Sequence, residues 1–469
     1  MMITAGVLMV NPNIFREYDI RGVVEKDLTP EVVEDIGRAF GTEMMHAGHK
    51  RISLGRDGRL SSPKLHDSFV KALLSTGIEI LDIGVCPTPL LYFSLFAHPV
   101  QGGVMITGSH NPAEFNGFKL CRGNETIYGD HIQQIRRRIE SKSYVQATGQ
   151  VKNHSDIIKT YINYLSDQFK NKADRFRVVV DSGNGTAGPV APDLFRLMGC
   201  EVVELYSEMD GRFPNHHPDP TVPENLDELV KRVKSERAAM GIGFDGDADR
   251  LGVIDEMGEV IWGDRLLIIF ARDILKRHPK ATVVSEVKCS QQLFDDVVDH
   301  GGQAIMWKAG HSLIKAKMRE TGAALAGEMS GHFCFADRYY GYDDAIYAAC
   351  RLIEIVARAG QPISRLLSDL PVTYSTPEIR VDCPDEIKFK LVEHVKQAWS
   401  GSPRMLGEQV KIIDVDGLRI QFEDGWGLLR ASNTQPALVL RSEAKTPKRL
   451  DEIQAFIQTA ISRARTDFR

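Results

Sequence analysis

The chain has 469 residues, 43% of them hydrophobic and 26% charged, and a formal net charge of −5. That length exceeds one ordinary hydrophobic core and predicts about three or four domains. The small negative charge excludes a broad nucleic-acid-binding face, the lack of any run of about 18 apolar residues excludes a membrane span, and seven scattered cysteines without C-x-x-C or zinc spacing fit a reducing cytoplasm rather than a disulfide framework.

Met1 to Ile14 is mildly apolar but has no basic start and no long apolar centre, so a signal peptide is not expected; the apolar first dozen residues look like an extension with no assigned role. Arg51-Ile52-Ser53-Leu54 predicts a strand that passes through Gly55-Arg56-Asp57-Gly58 into a serine-capped helix near Ser61-Ser62-Pro63. Arg177-Val178-Val179-Val180 repeats the pattern into Asp181-Ser182-Gly183-Asn184-Gly185. Thr282-Val283-Val284-Ser285 repeats it through Glu286-Val287 and Lys288-Cys289-Ser290 into a helix from Gln291 to Asp299. Three strand–turn–helix openings predict three related α/β modules. Breaks are expected in Ser141 to Asp156, at Asp255-Glu256-Met257-Gly258 and at Ser368-Asp369-Leu370-Pro371. Beyond the last, a helix from Asp385 to Trp399, strand-like alternation from Val410 to Phe422 and a closing helix from Pro447 to Arg463 predict a small α+β domain. The expected fold is therefore α/β: three related α/β domains with mixed sheets (1–154, 155–256, 257–369) and a smaller C-terminal α+β domain (370–469).

Four motifs carry chemistry. Thr107-Gly108-Ser109-His110-Asn111-Pro112 follows the apolar run Gly103-Val104-Met105-Ile106 and holds a serine in a Gly/Pro-bounded turn, the setting of a nucleophile or phosphate carrier. Lys119, in Asn116-Gly117-Phe118-Lys119, is its candidate partner. Asp245-Gly246-Asp247-Ala248-Asp249-Arg250 places three carboxylates at i, i+2 and i+4, a set that repels itself unless a hard cation such as Mg²⁺ neutralises it. Arg250 adds the positive charge a phosphate site needs. Glu328, Ser330 and His332 alternate in Gly327-Glu328-Met329-Ser330-Gly331-His332, which predicts an extended segment presenting all three on one face to sugar hydroxyls. Arg430, Ser432, Asn433, Thr434 and Arg441 combine guanidinium, hydroxyl and amide donors suited to a phosphate dianion.

Other signals compete. Gly183-Asn184-Gly185-Thr186-Ala187-Gly188, with Glu204 downstream, fits the dinucleotide-binding spacing, but Pro189 and Pro192 crowd the helix start that would receive a pyrophosphate, so a structural turn is expected. His216-His217 sits in a proline-rich loop without a third ligand at metal spacing. The aspartate loop also suggests an aspartyl phosphotransferase, yet Asp249 stands where that pattern wants Thr or Val. Lys288 and His311 each follow a strand-like run, where α/β folds place ligand groups.

In order and spacing, these motifs resemble the α-D-phosphohexomutase superfamily across nearly the whole chain, the bacterial phosphomannomutase/phosphoglucomutase branch in particular. The resemblance implies four domains around a central cleft, a phosphoserine at Ser109, and a Mg²⁺ site formed by Asp245, Asp247, Asp249 and the phosphorylated Ser109. It implies Glu328, Ser330 and His332 as sugar ligands and Arg430, Ser432, Asn433 and Thr434 as the phosphate loop. Tyr18, Arg21, Lys119, Arg250, Lys288 and His311 stand in stretches similar to the family's active-site segments. The implied reaction interconverts hexose 1- and 6-phosphates through a bound 1,6-bisphosphate, with glucose 1,6-bisphosphate as activator. Lys119 would move the proton, Arg21 or His332 would assist, and Arg250 would stabilise the transferring group. Met329 resembles the mannose/glucose branch; a Gln there would resemble phosphoglucosamine mutases. Small-molecule hexose phosphates are the expected partners, with neither nucleic acid nor membrane, and the chain is expected to be a monomer, a dimer being the alternative. A sugar-phosphate-binding regulator is the other class, but a binder needs no phosphoryl carrier.

Overall fold

The computed structural model describes residues 10–154, 156–174, 176–400 and 404–467, so most of the expected N-terminal extension lies outside it. The described chain divides into two compact units, one formed by residues up to Gly263 together with Ser330–Leu366, the other by Asp264–Met329 and the chain from Leu367 onward.

In the first unit, the strand expected over Arg51 to Leu54 runs on through Arg56, and Arg51–Arg56 is central to a mixed sheet. Its order is Ile20–Val23, Phe115–Arg122, Gly102–Ile106, Arg51–Arg56, Glu79–Val85 and Gln150–Asn153. The last four run parallel, whereas Phe115–Arg122 is antiparallel to Gly102–Ile106. Helices Pro30–His46 and Ser62–Leu74 pack together over a core that includes Ile36, Phe40, Ile52, Leu54, Phe69 and Phe118; burying each such side chain contributes about 1.5–3 kcal/mol. Two expectations are corrected here. Ser61 precedes the helix but makes no capping bond; its hydroxyl accepts from Asn116 Nδ2 at 2.9 Å instead, while the Ser62 hydroxyl donates to Asp57 at 2.5 Å. Ser141 to Asp156 is not all linker, since Gln150–Asn153 adds the edge strand.

A second sheet in the same unit has the order Val260–Ile261, Leu251–Asp255, Met240–Phe244, Arg177–Asp181, Glu201–Leu205. Met240–Phe244 pairs with Leu251–Asp255 as a hairpin whose closing register is Phe244 with Leu251. The aspartate motif is therefore the hairpin's tip. Asp255 to Gly258 forms a tight turn in which the Asp255 carboxylate accepts from the Met257 and Glu259 amides at 2.9 and 2.8 Å.

The second unit holds three parallel strands, Gln303–Trp307, Thr282–Glu286 and Leu325–Gly327, with the expected helix Gln291–Asp299. Its C-terminal part is α+β, as expected. An antiparallel sheet centred on Gly425–Ala431 and Ala437–Ala444 carries helices Asp385–Ser400 and Pro447–Thr466 over Leu391, Leu429, Leu440, Ile453 and Ile457. Val410 to Phe422 is not one strand but a hairpin of Lys411–Ile413 and Leu418–Gln421, turned with Gly417 at φ +78°. No helix among the described residues is long and apolar enough to cross a membrane. All seven cysteines are buried, and none is in a disulfide.

Candidate active site

Strand Gly102–Ile106 delivers the serine turn at its C-terminal end. Ser109 is 3% exposed and adopts φ +49°, a left-handed conformation uncommon outside glycine. Its hydroxyl donates to Asp245 Oδ2 at 2.8 Å and lies 3.0 Å from His110 Nδ1. Desolvation together with the charges of Arg250 and Arg21 pushes His110 well below the usual imidazole range. Arg21 bonds the Asn111 side chain at 2.7 Å and Asp19 at 2.5 Å. Tyr18, half-buried, directly precedes Asp19.

The hairpin tip brings the three carboxylates together as the i, i+2, i+4 spacing predicts. Asp245, Asp247 and Asp249 are wholly buried, with one oxygen of each lying within 4.8 Å of the others. Gly246 is required by close approach, because a Cβ there would come within 2.6 Å of the Ser109 carbonyl. The Gly183–Gly188 turn supports the same loop from behind, Thr186 N–H donating to the Gly246 carbonyl at 3.1 Å. That glycine motif is a structural turn, as expected. Asp247 Oδ2 accepts from Thr88, Thr107 and Lys119 at 2.5, 3.0 and 2.8 Å. Burial raises Asp245 well above the carboxylate range, and the charges of Asp247 and Asp249 add to this. At Asp247 burial pushes upward too, but Lys119 outweighs it and holds the group below its usual value. Asp247 Oδ1 and Asp249 Oδ1 are buried without hydrogen-bond partners. Crowded all-oxygen donors with orphaned atoms fit a hard divalent cation.

Lys119 faces Met105 across the sheet and reaches Asp247 and Asp249 at 2.8 and 2.5 Å. Burial opposes its charge, but the two carboxylates prevail and hold the ammonium well above its usual range. Arg250 donates from Nε to His332 Nε2 at 3.0 Å, and His332 Nδ1 lies 3.2 Å from Asp343 and 3.7 Å from Asp249. Six expected residues thus converge in the first unit: Ser109, Lys119, Asp245, Asp247, Asp249 and Arg250, with Arg21 and His332 at their margin.

Glu328, Ser330 and His332 do not lie on one extended face. Met329 and Ser330 form a turn and Gly331 takes φ +94°, which breaks the alternation. Glu328 belongs to the second unit, Ser330 and His332 to the first. In the second unit, Glu328 accepts from the Gly310 amide at 2.7 Å, at the start of the helix His311–Thr321. Lys288 lies 3.0 Å from Glu378 and 3.4 Å from Glu286. Arg430 pairs with Asp416 at 3.0 Å. Ser432 Oγ accepts from the amides of Thr434 and Gln435 at 3.3 and 3.1 Å, and Asn433 and Thr434 are more open. Arg441, grouped by sequence with the phosphate cluster, is 5% exposed and engaged elsewhere, bonded to the Lys288 carbonyl and to Asp264 at 3.2 Å, beside the Trp426 ring.

Glu286 is a buried acid that sequence reading passed over. It accepts from the Met329 amide at 3.1 Å, while its Oε2 has no hydrogen-bond partner. Burial pushes it up to about 7, Lys288 opposing and Glu328 adding. A carboxyl raised in the fold stabilises fully below its ordinary 4.5 and loses that contribution as pH rises through about 7. Glu286→Gln, neutral and similar in shape, is expected to gain on the order of 2 kcal/mol over the native chain at pH 8 and little at pH 5. Thermal unfolding at both pH values checks this, and an equal difference at both contradicts it.

Sequence reading also missed Asp57, Arg59, Thr88, Thr107 and Asp343. Asp57 and Arg59 stand in Gly55-Arg56-Asp57-Gly58-Arg59, where charges directly after an apolar strand were the available signal; Thr88 and Asp343 carry none. His216 is structural, its Nε2 lying 3.0 Å from Asp181.

A buried serine hydroxyl seated against a carboxylate triad is the chemical centre of the first unit's α/β scaffold. Four family profiles match in sequence: phosphoglucomutase/phosphomannomutase alpha/beta/alpha domain I over residues 12–146, domain II over 159–258, domain III over 262–374 and the C-terminal domain over 378–460. A phosphomannomutase/phosphoglucomutase of Pseudomonas aeruginosa is 44% identical over 462 residues, 98% of each chain. A phosphoglucomutase of Neisseria gonorrhoeae is 44% identical over 456 residues, 96% of this chain and 97% of its own. The crystal structure of a phosphoglucomutase/phosphomannomutase family protein from Burkholderia thailandensis superposes with a TM-score of 0.90 at 41% identity, covering 97% of this chain and 98% of that one. The chain belongs to the phosphoglucomutase/phosphomannomutase family.

Proposed function

We propose that the protein interconverts the 1- and 6-phosphates of mannose and glucose through a phosphorylated Ser109. The observation that carries this reading is the Ser109 hydroxyl, held 2.8 Å from Asp245 in a left-handed turn against the carboxylate triad. Phosphoserine 109 gives its phosphoryl group to the free hydroxyl of a hexose phosphate. The serine P–O bond breaks, a sugar P–O bond forms, and the resulting 1,6-bisphosphate reorients and returns its other phosphoryl group to Ser109. Chemistry of this kind is chiefly positioning and charge neutralisation. Mg²⁺ held by Asp245, Asp247, Asp249 and the serine phosphate supplies neutralising charge when bound. Arg250 shares that work. Lys119, held protonated by Asp247 and Asp249, suits donation to the serine oxygen as it departs, with Arg21 or His332 assisting. Glucose 1,6-bisphosphate recharges a serine that has lost its phosphate.

We assign Glu328, Ser330 and His332 to the sugar hydroxyls, Tyr18, Lys288 and His311 to further substrate contacts, and Arg430, Ser432, Asn433 and Thr434 to the non-reacting phosphate. Domains 1–154, 155–256, 257–369 and 370–469 complete the reading. Arg430→Ala is expected to weaken sugar-phosphate binding about 10- to 100-fold, the loss of a charged hydrogen bond, and to leave Mg²⁺ affinity unchanged. Calorimetric titration of both ligands checks this, and unaltered sugar-phosphate binding contradicts it. The reaction itself is tested by phosphorus NMR with Mg²⁺, a trace of glucose 1,6-bisphosphate and one sugar 1-phosphate at a time. Conversion of the mannose and glucose compounds to 6-phosphates is expected. Conversion of glucosamine 1-phosphate alone overturns the branch that Met329 supports, leaving a phosphoglucosamine mutase; no conversion of any sugar overturns the reaction.

A further inference from the structure

The loop after Ser109 turns its carbonyl oxygens onto one buried side chain. Arg59 is 1% exposed. Its Nη1 donates to the carbonyls of Pro112 and Phe115 at 2.7 and 3.1 Å, and its Nη2 to those of Ser109 and Asn111 at 2.7 and 2.5 Å. Its Nε lies 3.2 Å from Asp57 Oδ2, the oxygen that accepts from the Gly108 amide at 3.0 Å. Asp57 Oδ1 in turn accepts from the Arg59 amide and the Ser62 hydroxyl at 3.1 and 2.5 Å. The Phe213 ring covers the guanidinium at 5.2 Å. A Cβ at Gly108 would come within 2.4 Å of Arg59 Nε, which explains the glycine before the serine.

These contacts fasten the loop on both sides of Ser109. A left-handed non-glycine residue persists only where its surroundings over-determine it. Four carbonyl dipoles converging in a buried space need a cation, and the planar five-donor fork of arginine meets four acceptors in a way the compact ammonium of lysine does not. Arg59 has no contact with the Ser109 hydroxyl, so it acts through the backbone. We propose that Arg59, fixed by Asp57, is the positioning residue that aims the Ser109 oxygen for phosphoryl transfer in both directions. The inference rests on the phosphoserine reading above.

Arg59→Lys and Asp57→Asn are made in the full chain beside the native protein. Each is charged with glucose 1,6-bisphosphate and Mg²⁺, and the fraction carrying phosphate on Ser109 is counted by peptide mass spectrometry. kcat per phosphorylated chain and KM for glucose 1-phosphate are then measured. Arg59→Lys is expected to lower kcat per phosphorylated chain about 10²-fold, and Asp57→Asn about tenfold, with KM held within about threefold, as a misaimed group costs rate rather than binding. A merely structural role moves a different quantity: fewer chains take phosphate, and those that do turn over at the native rate. That result, or a raised KM with native kcat, overturns the proposal. If Arg59→Lys does not fold, Asp57→Asn decides by the same readout. Native protein that takes phosphate on no serine removes the phosphoserine reading, and the inference with it; a native control that behaves as expected isolates any failure to Arg59.

Discussion

Replacing Ser109 with alanine is expected to cut turnover by about 10⁴-fold or more while leaving sugar-phosphate binding within about threefold, the pattern of a lost nucleophile. The turn holds no second hydroxyl at that place. Thr107 Oγ1 is committed to Asp247 at 3.0 Å and to the Ser109 amide at 2.9 Å, so it does not substitute. The side chain removed is small and 3% exposed, and the Arg59 bonds to the loop are made by backbone oxygens that alanine retains. Folding should therefore be little affected. Turnover and binding are read from coupled assays and calorimetry; a variant with native turnover would sink the phosphoserine account.

Lys119→Met is expected to have the largest effect on the protein without metal. The ammonium is the cation seated between Asp247 and Asp249, all three buried. Removing one partner of a buried charge cluster leaves uncompensated charge and costs about 3–5 kcal/mol. Unfolding of the first unit should then shift down by about 10 °C. Mg²⁺ should restore much of that loss, because a dication at the triad supplies the missing charge. The stabilisation by Mg²⁺ should thus be larger in Lys119→Met than in the native chain, while turnover stays low even with metal. Melting curves with Mg²⁺ and with EDTA measure this; an equal metal-induced shift in both proteins contradicts the triad as the metal site.

The Ser109 and aspartate cluster of the first unit was legible because its residues are local in sequence. Ser109 follows an apolar strand in a turn bounded by Gly108 and Pro112, and the three aspartates share one hairpin tip, so spacing alone brings their carboxylates together. The α/β class was legible for the same reason, each strand–turn–helix opening being a contiguous signal. What was missed depends on packing between distant segments. Asp57 was legible only as part of a polar turn after a strand, because the groups that it and Arg59 bond lie some fifty positions on. Arg441 sits near Arg430 in sequence and shares its residue type, but Trp426 and Asp264 claim it. Alternation at Glu328, Ser330 and His332 matched a strand, yet Gly331 in the left-handed region turns the chain there. Asp416-Gly417 likewise split one expected strand into a hairpin.

The most direct test follows phosphate on the protein. The native chain is loaded from labelled glucose 1,6-bisphosphate with Mg²⁺, digested and mapped, and a second portion is chased with unlabelled glucose 1-phosphate. The account predicts one labelled phosphate per chain, on the peptide containing Ser109, that passes to sugar at least as fast as steady-state turnover. Label on the Asp245 peptide, as an aspartyl phosphotransferase would show, or turnover without any labelled peptide, would contradict it.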